Sequence, residues 1–226
     1  MSTPLLVFDM DGVLVDVTES YRETIARTVE YFAKAKISRE QIQDYKNQGG
    51  WNDDWKLSHH IITISGVEVP FEQVVEYFQK IFHGENGNGL ILREQWVARP
   101  GVLEELNKQF RFAVFTGRPK WEAEVTIQRF APQMQFDPIV GMHEVLHHKP
   151  APDGLLQILE QNPGSRIYYI GDSIDDAQSA KAAEVPFIGI AAPSNPRYLD
   201  LVFLFQEAGA YAIVDDINYL GEVFRS

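Results

Sequence analysis

Four short stretches hold residue types suited to chemistry rather than packing. VFDMDGVLVD (7–16) ends an apolar run with Asp9 and Asp11. Two apart in extended chain, their side chains share a face, and such a pair is stable when a cation or a shared proton relieves its repulsion. FAVFTGRP (112–119) closes on Thr116 and Gly117 before Pro119, a hydroxyl and free amides at a helix start, where an anion can be cradled. HHKPAPDG (147–154) carries Lys149 in the loop before a helix, and GDSIDDA (171–177) carries Asp172, Asp175 and Asp176. Five acids against one lysine are too negative to hold a phosphate without a divalent cation. Magnesium, which takes carboxylate oxygens, water and a phosphate oxygen together, suits them.

Each stretch alone has a plainer reading. An Asx turn can end the first strand, Thr116 or Gly117 can serve only as a helix cap, and a loop lysine is usually just solvated. Ser173 with Asp176 three later forms a capping box, and acids at a helix start favour the macrodipole. Asp172 resists that explanation, because it lies at the strand end, ahead of the cap. The D-x-D-G run lacks the third acid and the later Glu of a calcium loop. His143, His147 and His148 lack acids at metal-ligand spacing.

The elements that must position these groups are legible as strands LLVF (5–8), FAVFT (112–116), PIV (138–140), RIYYIG (166–171), PFIGI (186–190) and AYAIV (210–214). From residue 98 they alternate with helix-period segments, which predicts an α/β fold with a Rossmann-like parallel sheet. Residues 17–95 break the rhythm with helical patterns such as YRETIARTVEYFAKA and FEQVVEYFQKIF, rejoining near the glycine-rich GENGNG (84–89). The predicted layout is therefore a core of 1–16 and 96–226 interrupted by an all-helical insertion over 17–95. In open α/β sheets ligands sit beyond the carboxyl ends of the strands, where all four stretches fall. There is no G-x-x-x-x-G-K-[ST] and no G-x-G-x-x-G.

DMDGVLVD, Thr116 in VFTGRP, Lys149 in HHKP and GDSIDD occur in the order of the four motifs of the haloacid dehalogenase superfamily, and the match spans the core. The chain resembles its subfamily with a helical cap after the first motif, which contains phosphoglycolate phosphatases and β-phosphoglucomutases. The resemblance implies a phosphatase acting on a small-molecule phosphate monoester. By position it makes Asp9 the nucleophile and Asp11 the general acid and base. Thr116 and Lys149 would hold the phosphoryl oxygens, with Met10, Asp11 and Gly117 lining the same phosphate site. Asp9, the Asp11 main-chain carbonyl and Asp172 would be magnesium ligands, supported by Asp175 or Asp176. Asp11 distinguishes phosphatases from the dehalogenases, which lack that acid. Two departures stand out: Asp175 where relatives often have asparagine, and Glu184 where a glycine usually follows this helix. A phosphosugar mutase shares the chemistry and remains an alternative. A non-catalytic phosphate-binding protein would be expected to lose one of Asp9, Asp11, Lys149 or Asp172.

Within the helical insertion, NQGGWNDDWKLSHH (47–60) is the stretch expected to read the leaving group, with Lys46, Gly50, Trp51 and Asn52 as candidate contacts. The plainer alternative puts Trp51 and Trp55, four apart, on one apolar helix face. The surroundings of Lys46 give no sign of desolvation, so a Schiff-base role is not expected.

The net charge of −12 argues against nucleic acid or an anionic membrane as partner, since backbone binding needs a basic face. No cysteine is present, which excludes disulfides and thiolate metal sites and suits an intracellular location. The apolar start reaches Asp9 too soon for a secretion signal, and no run approaches the ~20 apolar residues of a membrane span. A cytoplasmic monomer or homodimer is the expectation.

Overall fold

The computed structural model describes residues 2–225. It begins with β1 (Leu5–Phe8), whose four side chains are all buried, as expected for a strand covered on both faces of a parallel sheet. The chain then leaves through a two-residue strand, β2 (Val15–Asp16), into four helices: α1 (Tyr21–Ala33), α2 (Arg39–Gln48), α3 (Asp54–Ile64) and α4 (Phe71–His83). It returns through β3 (Gln95–Trp96), which pairs with β2 in a two-stranded sheet. Two residues are too few to leave a periodic signature, and neither strand is among those read from the sequence.

From there strands and helices alternate: α5 (Val102–Asn107), β4 (Arg111–Phe115), α6 (Lys120–Phe130), β5 (Phe136–Val140), α7 (Asp153–Gln161), β6 (Ile167–Gly171), α8 (Ile174–Ala182), β7 (Phe187–Ile190), α9 (Tyr198–Ala208), β8 (Ala212–Val214) and α10 (Leu220–Val223). The large sheet has six strands in the order β5-β4-β1-β6-β7-β8, and every pairing is parallel. This is the expected Rossmann-like α/β fold. β1 lies at its centre, with Leu5 opposite Arg111 on one side and Ile167 on the other. The order places the ends of β4, β1 and β6 side by side, and the chain order reverses around β1, the kind of point where open α/β sheets bind ligands. One face of the sheet packs Val7, Phe115 and Tyr169 with Leu155 and Ile158 of α7 and Ala177 and Ala180 of α8.

The chain divides into two compact units, one of Met1–Val15 with Trp96–Ser226 and one of Asp16–Gln95. The second is all-helical and has its own core, with Ile25, Val29, Leu57, Ile62, Val74, Phe78 and Phe82 almost fully buried. Tyr21 packs its ring 4.1 Å from that of Phe82. Ser38 and Gln41 close a reciprocal capping box at the start of α2, and Asp53 caps α3 through the amides of Trp55 and Lys56. GENGNG is followed by a single 3-10 turn, Leu90–Arg93, where the sequence showed no clear helix.

The stretch 47–60 also differs from expectation. Trp51 precedes α3 and so shares no helix face with Trp55; it packs against Tyr45 and His60, with ring centroids 5.8 and 4.4 Å away. Lys46 is buried, and its ammonium donates to Trp51 O at 2.7 Å, Asn52 O at 3.4 Å and Asp54 Oδ1 at 2.5 Å. Gly49 and Gly50, at φ 79° and 80°, bend the chain so that these acceptors converge on the amine. That backbone course is open to glycine and strained for other residues. Lys46 thus clamps its own loop, and the polar sequence around it concealed its desolvation. Gly50 is exposed and Asn52 half-buried.

Candidate active site

Asp9, Asp11, Thr116 and Asp172 sit at or just beyond the ends of β1, β4 and β6, Asp175 and Asp176 in the first turn of α8, and Lys149 in the loop between β5 and α7. β1 ends at Phe8, and the next three residues are Asp9, Met10 and Asp11. The Asp9 amide still donates to Ile170 O of β6 at 2.8 Å, so Asp9 is held by the sheet itself, 5% exposed. Met10 is fully buried, and its carbonyl accepts the amides of Leu14 and Val15 at 2.9 Å, curling the chain back on itself. Gly12 takes φ +78°, and a Cβ there would lie 1.9 Å from Asp172 Oδ2. Only glycine lets the first loop pass so close to the acid at the end of β6.

Lys149 comes from the loop before α7 and is 4% exposed. Its ammonium donates to Asp176 Oδ1 at 2.7 Å and to the Tyr169 hydroxyl at 2.9 Å, and lies over the Phe115 and Tyr169 rings. It also stands 3.0 Å from Asp9 Oδ1. That approach is an ion pair by distance but lies off a hydrogen-bonding direction, so Asp9 Oδ1 is buried with no donor on it.

Asp176, fully buried, is saturated. Oδ1 accepts from Lys149 and from Tyr169 Oη at 2.6 Å, while Oδ2 accepts from the Ser173 amide at 3.1 Å and its hydroxyl at 2.6 Å. The Asp176 amide returns a bond to Ser173 Oγ at 3.2 Å, completing the predicted capping box at the start of α8. Asp9, Asp172 and Asp176 each offer an oxygen within 4.8 Å of the others, a group that could hold a metal ion. Asp175, also buried, is not in that group, nor are His143, His147 and His148. His147 instead meets Asp153 at 3.0 Å.

The charges shift one another. Burial is the largest influence on Asp9 and raises it to about 7, against the pull of Lys149 and with help from Asp176 and Asp11. Burial would likewise raise Asp176, but the Lys149 charge and the bonds from Lys149, Ser173 and Tyr169 hold it below the usual carboxylate value. For Lys149 burial favours the neutral amine, yet the charges of Asp176 and Asp9 outweigh it and keep the group above an ordinary lysine. Burial and the same two acids push Tyr169 well above a free phenol, so it stays a hydrogen-bond donor. Asp9 is thus the carboxylate whose charge remains under-compensated, and a cation beside it and Asp172 would relieve that imbalance.

Thr116 follows β4, 1% exposed, with its amide on Val140 O at 3.0 Å. Its hydroxyl oxygen accepts from the Arg118 amide at 3.2 Å, which leaves the hydroxyl proton available to donate. Gly117 lies between them, half-buried.

Two residues of the site escaped the sequence reading. Arg118 is 1% exposed; Nε lies 2.8 Å from Asp11 Oδ1, Nη2 bonds the same oxygen, and Nη1 donates to Thr126 Oγ1 at 3.2 Å. Tyr169 is buried in β6 with its hydroxyl on Asp176. An arginine in a Gly-Arg-Pro turn reads as a solvated loop cation, and a tyrosine in an apolar strand reads as core. Burial of a charge or hydroxyl among acids is not visible one residue at a time.

A family model described as haloacid dehalogenase-like hydrolase matches residues 6–190. Among curated proteins, a phosphorylated carbohydrates phosphatase of Thermotoga maritima is 28% identical, over 96% of this chain and 98% of its own length. An imidazoleglycerol-phosphate dehydratase of Phytophthora nicotianae is also 28% identical, over 86% of this chain, and the chain spans only 45% of that protein. A crystal structure of a haloacid dehalogenase-like hydrolase from Bacteroides fragilis superposes with a TM-score of 0.78 at 22% identity, covering 97% of this chain and 100% of that one.

Proposed function

The chain belongs to the haloacid dehalogenase-like hydrolase family, and from that premise we propose that it is a magnesium-dependent phosphatase of a small-molecule phosphate monoester, working through a phosphorylated Asp9. The observation that carries this reading is the buried Asp9 carboxylate, under-compensated beside Lys149 and next to Asp172.

In the first step an Asp9 oxygen attacks phosphorus. The ester oxygen departs as alcohol, taking its proton from Asp11, and Asp9 is left as a mixed anhydride with phosphate. In the second step Asp11, now a carboxylate, takes a proton from the water that attacks phosphorus. Inorganic phosphate leaves and the Asp9 carboxylate is restored. Splitting one displacement into two lowers each barrier, and a placed proton donor typically contributes 10²–10⁴-fold. Lys149 and the Thr116 hydroxyl take the phosphoryl oxygens, with the Gly117 amide beside them. Asp9, Asp172 and the Asp11 carbonyl would hold magnesium, which when bound offsets charge on the transferring group. Asp176 has four donors on two oxygens, so its part is to hold Lys149 in place and to back the metal shell.

The helical unit over Asp16–Gln95 is read as a cap that selects the leaving group, with the Trp51 loop as its candidate reader. The Thermotoga relative's activity supports phosphorylated carbohydrates as the first substrates to try. The Phytophthora relative supports adding a phosphate ester that bears an imidazole ring. The test is release of inorganic phosphate across such a panel, with magnesium and with chelator. Asp9→Asn is expected to abolish turnover and Asp11→Asn to slow it by about 10²–10⁴-fold. Turnover that survives Asp9→Asn removes the nucleophile assignment. Accumulation of an isomeric sugar phosphate in place of free phosphate would make the protein a mutase.

A further inference from the structure

We propose that Arg118 is the positioning residue of the proton-transfer group: it grips one oxygen of the Asp11 carboxyl and so presents the other to the leaving group. The inference rests on the assignment of Asp11 as general acid and base and adds to it a residue that reaches the chemistry only through Asp11.

Three features of Arg118 support this. Its side chain is 1% exposed and its fork is committed, Nε and Nη2 to Asp11 and Nη1 to Thr126, which leaves it poorly placed to bind substrate itself. Both Asp11-directed donors fall on the same oxygen, Oδ1. Two convergent donors fix the carboxyl plane and make Oδ1 the poorer site for a proton, so Oδ2 is the oxygen that carries it. The Arg118 amide also donates to the Thr116 hydroxyl oxygen, so the residue that orients Asp11 is built into the turn that carries a phosphate-binding group. Lysine could not replace it, since a point charge on a flexible stem lacks the planar pair of donors. A buried guanidinium is costly to keep unless it is paired, and Asp11, whose side chain is 28% exposed, pairs with it here.

In the reaction, the O–H bond at Asp11 Oδ2 breaks as the proton passes to the departing ester oxygen. The P–O bond to that oxygen breaks and the bond from Asp9 to phosphorus forms. When water attacks in the second step, its proton returns to the same Oδ2. Without the grip on Oδ1 the carboxyl is free to rotate, and both transfers lose orientation.

The test compares kcat/KM, which reports the steps through phosphorylation of Asp9, for two esters in the presence of magnesium. One is the best alkyl ester from the substrate panel, whose leaving oxygen needs a proton. The other is p-nitrophenyl phosphate, whose phenolate departs without one. Arg118→Met is expected to lower kcat/KM by about 10–100-fold for the alkyl ester and by at most a few-fold for the aryl ester, with Arg118→Lys between it and the wild type. Equal loss on both esters in a variant that melts like the wild type would overturn the proposal, as would no loss on either. If Arg118→Met does not fold, Arg118→Lys carries the same comparison: a greater loss on the alkyl ester supports the proposal and equal effects overturn it. Asp11→Asn, measured alongside, separates the two levels. Should it fail to discriminate between the esters, the general-acid assignment falls, and the role of Arg118 falls with it.

Discussion

Asp9 carries a buried carboxylate oxygen that no donor reaches. It is buried beside a lysine that approaches off the hydrogen-bonding direction, and in the metal-free protein it protonates at about 7. Two outcomes follow. Magnesium needs the ionised carboxylate, so its apparent affinity should weaken below pH 7, approaching tenfold per unit; titrating the metal requirement for phosphate release at several pH values reads this. Stability has the matching sign. Between the carboxylate's ordinary 3.8 and about 7, folded Asp9 holds a proton that the unfolded chain releases, so its contribution to stability falls as pH rises through that window. In chelator, Asp9→Asn should therefore gain in melting temperature over the wild type on going from pH 5 to pH 8. A constant difference between the two would show that Asp9 carries no such shift.

At the scale of elements, the inner strands β1, β4, β6 and β7 were legible because they are buried apolar runs, as parallel strands covered on both faces are, and Asp9 and Asp172 were legible because they end two of those runs. Termination was less so. Glu184, where a glycine was expected, takes φ +56° just beyond α8. Its amide donates to Lys181 O at 3.2 Å and the Val185 amide to Ala180 O at 2.9 Å, which is a Schellman turn. The helix ends as a glycine would end it, with an exposed glutamate bearing the left-handed strain. Glu184→Gly should raise stability by about 0.5–1 kcal/mol and leave kcat/KM unchanged, as urea unfolding and the phosphate assay would show. The helix-face alternative for the Trp51 loop failed at the other end of a helix: two tryptophans four apart imitate a helix face, but α3 begins only at Asp54 behind its Asp53 cap, and Trp51 lies ahead of both.

For the whole molecule, the net charge of −12 and the acids at the strand ends mean that, under the proposed function, cation binding should be stabilising. Magnesium at a hundred times its dissociation constant should add ~2.7 kcal/mol to unfolding, seen as a rise in melting temperature that chelator reverses and Asp9→Asn blunts. The acids and Lys149 were recoverable from sequence because four strand ends repeat one logic. Arg118 and Tyr169 were not, because each is defined by partners from other elements: Arg118 meets Asp11, 107 positions away, and the Tyr169 hydroxyl meets Asp176 of α8 and Lys149 of the loop before α7. The small sheet of β2 and β3 bears on the chain's history. It makes the points of departure and return ladder neighbours, about 4.8 Å apart. A segment of almost any length can be spliced between two such ports without lengthening a loop or moving a strand of the large sheet. The chemistry at the end of β1 can thus stay fixed while the inserted passage is exchanged like a cassette, and new specificities can arise by recombination as readily as by point substitution.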